Sequence, residues 1–300
     1  MQIVRFRSAS GEVVLGLASS GRVVGRFEGR HQSLGGLLGL PAIQFRAASE
    51  HTIPADAGVD PTADLLAPIN GAMEVWAAGV TYKRSEEARV EESGTPDIYM
   101  RVYAAERPEL FFKATPRRVA GPGQPIAVRA DSTWDVPEPE LALVVNAHAE
   151  IAGYTIANDL SSRSIEGENP LYLPQAKVYA GCCALGPGIT PAWEVPDPYD
   201  LAVQMSIERS GRVHWRGETS TRQLKRRVDE LVAFLFREDD FPEGVVLCTG
   251  TALVPDAPFS LEAGDFVEIS IDRLGTLRNP VVRGKAGLRS LAAATVGGER

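Results

Sequence analysis

The feature that most constrains the fold is a series of short apolar runs separated by turns that contain glycine or proline. Runs of this length, rich in Val, Ile and Phe, are typical of β-strands. They are Ile3–Phe6, Val13–Leu17, Arg22–Phe27, Val75–Val80, Leu110–Lys113, Ile126–Val128, Leu141–Val145, Ile151–Ala157, Val203–Ile207 and Val267–Ile271. The sequence therefore predicts a β-rich α+β fold with helices at its periphery.

Helical patterns are few. From Thr221 to Phe236, apolar residues recur at three- and four-residue spacing, which predicts one amphipathic helix. Shorter helices are predicted at 85–90 and at about 97–106. A passage rich in Pro and Asp at 54–68 separates the first strands from the rest. This change predicts a small N-terminal β domain over residues 1–70 and a larger domain over 71–300.

Charge and composition limit the partners of the chain. The formal net charge is −8, the sequence pI is near 5.2, and Lys and Arg form no cluster. These values argue against nucleic acid and anionic membranes as partners. The N-terminus lacks the layout of a signal peptide, and no apolar run approaches the roughly 20 residues that span a bilayer. Cys182, Cys183 and Cys248 are expected to be buried, reduced thiols in a cytoplasmic protein.

The strongest chemical signal is the acidic pair Glu138 and Glu140. In an extended segment, residues two apart project from the same face, so the two carboxylates converge. A divalent cation would relieve their repulsion, and Asp159, after the next predicted strand, would add a third carboxylate. Such an oxygen-rich set suits Mg²⁺, Mn²⁺ or Ca²⁺ rather than zinc. The alternative is that the pair is only the solvated face of an edge strand.

Other polar residues lie in segments that suit substrate contact. Lys177 lies in the apolar, Gly-rich segment 174–187, where a lowered pKa would let it exchange protons with a substrate carbon. The alternative is a lysine that packs its stem and keeps its ammonium in water. Lys113 ends an apolar strand and could neutralise a substrate carboxylate. Thr249–Thr251, at a strand end, suits a grip on a carboxylate through backbone and hydroxyl groups, or is simply a turn.

In order and spacing, these motifs resemble the catalytic domain of the fumarylacetoacetate hydrolase family over about residues 75–282. The motifs are Glu138-x-Glu140, Gly153-Tyr154-Thr155-Ile156, Asp159, Ser162-Arg163, Lys177, Leu185-Gly186-Pro187 and Thr249-Gly250-Thr251. The resemblance implies a mixed β-roll that forms a homodimer or a larger homo-oligomer. It also implies that Glu138, Glu140 and Asp159 bind Mg²⁺, with Mn²⁺ or Ca²⁺ as alternatives. The expected partner is a small anionic 2-oxo acid, chelated through its carboxylate and keto oxygens.

The family catalyses several reactions, so membership alone does not define the chemistry. Its hydrolases carry a histidine on the short helix after the first catalytic strand, and the corresponding stretch 80–89 has none. Within the family, this chain is most similar to the branch that dehydrates 2-keto-3-deoxy-D-arabinonate to 2,5-dioxopentanoate. The segments that carry this similarity are 74–82, 107–116 and 168–175. In that branch the glutamate of Pro-Glu-x-Phe-Phe-Lys and the lysine of Lys-x-Tyr-Ala-Gly-Cys are at the substrate, and here they are Glu109 and Lys177.

The resemblance therefore implies a metal-dependent hydro-lyase. We expect Lys177 to take the C3 proton, the metal to stabilise the resulting enolate, and Glu109 to act as acid when the C4 hydroxyl leaves. The residues expected to bind the substrate are Tyr82, Arg84, Lys113, Thr249, Gly250 and Thr251. One alternative is an acylpyruvate C–C hydrolase, isomerase or decarboxylase that uses Glu86, Glu87 or another base. A second is a metal-binding relative without activity.

Overall fold

The computed structural model describes residues 1–54, 65–83 and 96–297. The strands are β1 (Gln2–Arg7), β2 (Val13–Ser19), β3 (Arg22–Arg26), β4 (Ile53–Pro54), β5 (Leu65–Leu66), β6 (Glu74–Gly79), β7 (Glu109–Ala114), β8 (Val119–Ala120), β9 (Ile126–Val128), β10 (Asp135–Val136), β11 (Pro139–Val145), β12 (Ile151–Asp159), β13 (Ser161–Ser162), β14 (Cys183–Pro191), β15 (Ala202–Arg209), β16 (Arg212–Ser220), β17 (Val245–Cys248), β18 (Phe266–Ile271) and β19 (Gly275–Arg283). The α-helices are α1 (Leu34–Leu38), α2 (Ala42–Glu50), α3 (Pro96–Ala104), α4 (Arg163–Glu168), α5 (Leu173–Lys177), α6 (Val228–Leu235) and α7 (Gly284–Gly297). None of these helices combines the length and the apolar character needed to cross a membrane.

Most strands belong to one large mixed sheet. Its order is β4-β3-β2-β1-β14-β12-β11-β17-β6-β7, with β5 beside β1 and β8 beside β14. A second sheet has the order β16-β15-β18-β19-β9, and β10 pairs with β13. Most neighbours are antiparallel, but β17 runs parallel to β6 and β19 runs parallel to β9. The predicted β-rich α+β class is confirmed.

The first strands of the chain continue the large sheet. β1 pairs with β14 through Ile3 and Ile189, and with β2 along its whole length. Side chains from α1, α2 and the first strands share one apolar cluster with the centre of the sheet. The division of the chain near residue 70 stays a prediction, and the strands within 1–54 are part of the same sheet as β11 and β12.

The central strands are buried on both faces. In β11, Leu141 and Leu143 pack toward the second sheet, whereas Ala142 and Val144 pack on the opposite face with α1 and α2. Double burial explains why β11 is a continuous apolar run rather than an alternating one. Because side chains alternate along a strand, Glu140 faces the same side as Ala142.

Each predicted strand is present, with ends that differ by at most two residues, and the helix predicted at about 97–106 corresponds to α3.

The single helix predicted from Thr221 to Phe236 is wrong in its first half. Only α6 is α-helical there, and Leu224 is extended and bridges Tyr82. The next N–H, of Lys225, donates to the Thr81 carbonyl oxygen at 3.0 Å. These backbone contacts replace the helical ones and override the apolar periodicity. The helix predicted at 85–90 lies outside the described residues.

A buried amide holds the turn between β11 and β12. The Asn146 carbonyl Oδ1 accepts from the N–H groups of His148 at 2.9 Å and Glu150 at 3.0 Å. Its Nδ2 donates to the Leu40 carbonyl oxygen at 3.0 Å and to Glu150 Oε2 at 2.8 Å. These bonds fix a hairpin turn around His148. Asn146 therefore holds the turn that joins β11 to β12. The acidic residues lie at the other ends of these two strands, away from the turn.

We expect Asn146→Ala to lower the free energy of unfolding by about 2–4 kcal/mol, because it removes the four hydrogen bonds of a buried amide. Urea denaturation followed by far-UV circular dichroism measures this change. His148→Ala is the matched control. His148 lies in the same turn, and its exposed ring contacts the Gly39 carbonyl oxygen. Equal losses in both variants would contradict the assignment of the turn to Asn146.

Candidate metal centre and active site

Three carboxylates meet where β11 begins and β12 ends. The Asp159 N–H donates to the Glu138 carbonyl oxygen at 3.0 Å, which places their side chains side by side. Glu138, Glu140 and Asp159 are 3, 2 and 1 % exposed. Each offers an oxygen that lies within 4.8 Å of the others. The alternative of a solvated edge strand is wrong, because β11 is a central, buried strand.

Two of the cations that contact the triad come from helices. Lys177, the last residue of α5, donates to Glu138 Oε2 at 2.8 Å and to Asp159 Oδ2 at 3.0 Å. It also donates to Ser161 Oγ at 2.5 Å. Arg163 Nη2, from α4, donates to the other oxygen of Glu138 at 3.1 Å. Lys177 is 2 % exposed, so the alternative in which its ammonium stays in water is wrong.

Lys113 lies behind Asp159 and does not line the pocket. Its ammonium forms an ion pair with Asp159 and donates to the carbonyl oxygens of Leu160 at 3.0 Å and Lys177 at 2.6 Å. Burial alone would lower the pKa of Lys113, but the Asp159 carboxylate and other nearby groups outweigh burial, so the pKa is raised. Three acceptors satisfy the three N–H donors. The sequence predicts that Lys113 contacts a substrate carboxylate. The geometry instead favours a role in which Lys113 supports Asp159.

Glu140 bears an electrostatic cost in the triad. Its Oε2 accepts the Gly250 N–H at 2.6 Å. Burial, followed by the carboxylates of Asp159 and Glu138, raises the pKa of Glu140 well above its ordinary value. A divalent cation would remove this repulsion, and three carboxylates form the hard oxygen set that Mg²⁺ prefers. The residues present therefore fit the predicted ion.

A narrow pocket leads to the triad. Its described lining residues are Ala78, Gly79, Val80, Glu109, Phe111, Glu138, Glu140, Asp159, Glu166, Leu173, Lys177, Gly250 and Thr251. The pocket thus brings Lys177 and Glu109 to the same space as the triad. No histidine is among these described lining residues. The sequence reading missed Glu166, because the short helix α4 has no apolar periodicity that would place its side chains.

The strand end at Thr249–Thr251 contributes a backbone N–H to the site, whereas its two hydroxyl groups bond to main-chain oxygens. The Thr249 hydroxyl donates to the Leu141 carbonyl oxygen at 2.8 Å, and the Thr251 hydroxyl donates to Leu253 O at 3.2 Å. Gly250 has φ +88, and a Cβ there would lie 2.1 Å from Thr81 Oγ1. A glycine is therefore required where the chain turns to present its N–H to Glu140.

The remaining predicted contacts differ in their placement. Tyr82 is 3 % exposed and packs in the core rather than on the pocket wall. Burial, with a smaller contribution from Glu140, raises the pKa of its phenol. Arg84, Glu86 and Glu87 lie outside the described residues. All three cysteines are buried free thiols, as predicted.

Residues 74–282 match the family model described as fumarylacetoacetate (FAA) hydrolase C-terminal. This chain belongs to the fumarylacetoacetate hydrolase family. It is 54% identical over 237 residues to a probable 2-keto-3-deoxyxylonate dehydratase of Haloferax volcanii, covering 79% of this chain and 82% of the relative. It is 48% identical over 212 residues to a 2-dehydro-3-deoxy-D-arabinonate dehydratase of Saccharolobus solfataricus, covering 69% of this chain and 71% of that protein.

A solved structure has the same fold. It is a 2-keto-3-deoxy-D-arabinonate dehydratase complexed with magnesium and 2,5-dioxopentanoate. The TM-score is 0.82 at 36% sequence identity, over 94% of this chain and 99% of the other. The predicted family and fold are therefore confirmed, and this structural relative contains the ion that the sequence predicts here.

We expect metal binding to release a proton. Because the pKa of Glu140 is raised, the metal-free protein keeps this carboxyl protonated at pH values where an ordinary glutamate is ionised, and the ion must displace that proton. Affinity should rise about tenfold per pH unit below that pKa and level off above it. Calorimetric titration with Mn²⁺ in buffers of different ionisation enthalpy measures the release.

In the same titration, Glu140→Gln should bind the ion more weakly and release no proton from this position. Half-buried Glu194, which pairs with the N-terminal ammonium, provides the control Glu194→Gln. The control should release as many protons as the parent. Parental binding that is independent of pH and of buffer would contradict the raised pKa.

We expect Lys113→Met to lower the free energy of unfolding of the metal-free protein by about 3–5 kcal/mol, because it leaves buried Asp159 with one cation fewer. Added Mg²⁺ should restore part of this loss, since the ion supplies positive charge to the same carboxylate. Denaturation with and without Mg²⁺ measures both effects. Exposed Lys285→Met is the control and should change little. A loss of the same size under both conditions would show that Lys113 does not act through Asp159.

Proposed function

We propose that this protein is a Mg²⁺-dependent hydro-lyase that dehydrates a 2-keto-3-deoxy sugar acid. The leading substrate is 2-keto-3-deoxy-D-arabinonate, which would give 2,5-dioxopentanoate. The observation that carries the proposal is one pocket that joins a buried carboxylate triad to Lys177 and Glu109. The similarity to dehydratases of related sugar acids supports it.

The proposed ion site is formed by Glu138, Glu140 and Asp159. When bound there, Mg²⁺ would polarise the keto group of a 2-oxo acid and make its C3–H more acidic. Lys113 and Arg163 already place two positive charges around these carboxylates, and Lys177 adds a third when it is protonated. With all three carboxylates ionised and the ion present, the centre favours an anionic ligand. A 2-oxo acid meets that requirement with its carboxylate.

Lys177 is the proposed base for the C3 proton. As a neutral amine it would accept this proton and become the ammonium that Glu138 and Asp159 stabilise. Ser161 accepts from Lys177 and donates to the Asp159 carbonyl oxygen at 2.9 Å. Since a neutral amine still donates hydrogen bonds, Ser161 would hold Nζ in both protonation states.

Glu109 is the proposed acid for the C4 hydroxyl. A protonated Glu109 would donate to this oxygen, which then leaves as water while the C3–C4 double bond forms. This role requires that Glu109 is protonated when the substrate binds. Loss of a C5 proton and return of a proton to C3 would then give the enol at C4–C5, which would tautomerise to the aldehyde by protonation at C4.

The acylpyruvate hydrolase is the weaker alternative. Its chemistry requires a group that activates water, and the hydrolases of the family use a histidine for this step. Among the described residues that line the pocket, there is none. Dehydration needs only a base and an acid, and both are present in the pocket.

We also propose that the active protein is a cytoplasmic homodimer. Family resemblance supports the dimer, and three buried free cysteines agree with a reducing compartment. Light scattering after size-exclusion chromatography measures the mass in solution, and a monomer would contradict this proposal.

The direct test is incubation with Mg²⁺ and 2-keto-3-deoxy-D-arabinonate, with detection of an aldehyde product. Lys177→Met and Glu109→Gln should each lower kcat by about 10²- to 10⁴-fold, because each removes a proton-transfer group. Glu138→Gln combined with Glu140→Gln should abolish ion binding and activity. Lys285→Met is the matched control for Lys177→Met and should keep parental activity. Cleavage of an acylpyruvate without any aldehyde from the sugar acid would overturn the proposal.

A further inference from the structure

We propose that Gly79 is a positioning residue for the carboxylate of Glu109. This inference rests on the proposed function, in which Glu109 is the acid. Gly79 ends β6 and lies opposite Glu109 in the antiparallel pair with β7. Both residues line the pocket. Glu109 therefore reaches the pocket from β7. It lies directly beside Gly79, the one residue of these two strands that has no side chain.

The Glu109 side chain occupies the space that a Gly79 side chain would fill. A Cβ built on Gly79 would lie 2.1 Å from Glu109 Oε2, 2.7 Å from its Cδ and 3.4 Å from its Cγ. The carboxylate thus lies across the α-carbon of Gly79. The absence of a Cβ allows it to take this path.

The backbone at Gly79 does not itself require glycine. Gly79 is not among the residues with positive φ, so an L side chain can adopt its backbone conformation. The left-handed residue is the next one, Val80, with φ +52, and this position carries a β-branched side chain. Glycine therefore occurs where space is needed, and not at the neighbouring residue where backbone freedom would help.

The atoms that would have to move belong to Glu109 and not to the sheet. The three atoms nearest a Gly79 Cβ are all in the Glu109 side chain. At Gly153, by contrast, the nearest atom is the main-chain oxygen of Thr190 at 2.5 Å. Because a glutamate side chain can rotate, an added methyl group at Gly79 displaces the carboxylate and leaves the strands in place. The triad, on β11 and β12, is unaffected.

The test is a double-mutant cycle of Gly79→Ala, Glu109→Ala and the combined variant, assayed with Mg²⁺ and 2-keto-3-deoxy-D-arabinonate. We expect Gly79→Ala to lower kcat by about 10²-fold while KM changes little, because the proton donor is displaced. In the Glu109→Ala background, the same methyl group should lower kcat no further. Calorimetry with Mn²⁺ and then oxalate should give parental affinities in all three variants.

The outcomes separate this inference from the proposed function. If Gly79→Ala keeps parental kcat while Glu109→Ala loses activity, the positioning role is overturned and the proposed function stands. If the methyl group lowers kcat equally in both backgrounds, it acts by narrowing the pocket, which also overturns the role. If Glu109→Ala keeps parental activity, the acid assignment itself fails, and the positioning role fails with it.

A change in folding is tested in the same set. If Gly79→Ala lowers the melting temperature, the combined variant, which lacks the contacting carboxylate, should recover the melting temperature of Glu109→Ala. No recovery would show that the methyl group acts on the sheet and would overturn the inference.

Discussion

The burial of three carboxylates at one point is the constraint on which the rest of the structure depends. A buried carboxylate without a counter-charge is costly, and here Lys113, Lys177 and Arg163 supply the compensation. These cations come from β7, α5 and α4, so all three elements must pack against β11 and β12 before the triad is stable. The candidate active site is therefore also a point at which separate parts of the fold are joined electrostatically.

The sheet provides the rigidity that such a charge cluster needs. β11 and β12 are central strands with apolar packing on both faces, and Asn146 closes the turn at the end away from the triad. At the other end, Gly250 approaches closely enough to donate its N–H to Glu140. Functional groups carried by strand ends in a packed sheet have little freedom to shift, which suits a site that must hold an ion in a defined geometry.

The sequence predicts the parts of this structure that local patterns encode. Apolar runs located the central strands, and carboxylate spacing located the triad. β14 was missed because glycine and proline interrupt it, and β16 because an outer strand with polar residues lacks a clear apolar run. The long helix was overextended because Leu224 pairs with Tyr82, a contact between distant segments. The support of Asp159 by Lys113 and the space left by Gly79 depend on neighbouring strands, so no local pattern could show them.

The pairing of Ile3 with Ile189 has a consequence for the order of assembly during synthesis. β1 can form a hairpin with β2 as soon as both have left the ribosome, but its other neighbour, β14, is made much later. β12, which carries Asp159, also waits for β14, and Glu140 waits for Gly250 near the end of the chain. Such distant pairings slow folding. The candidate ion site can therefore be complete only after Gly250 has been made.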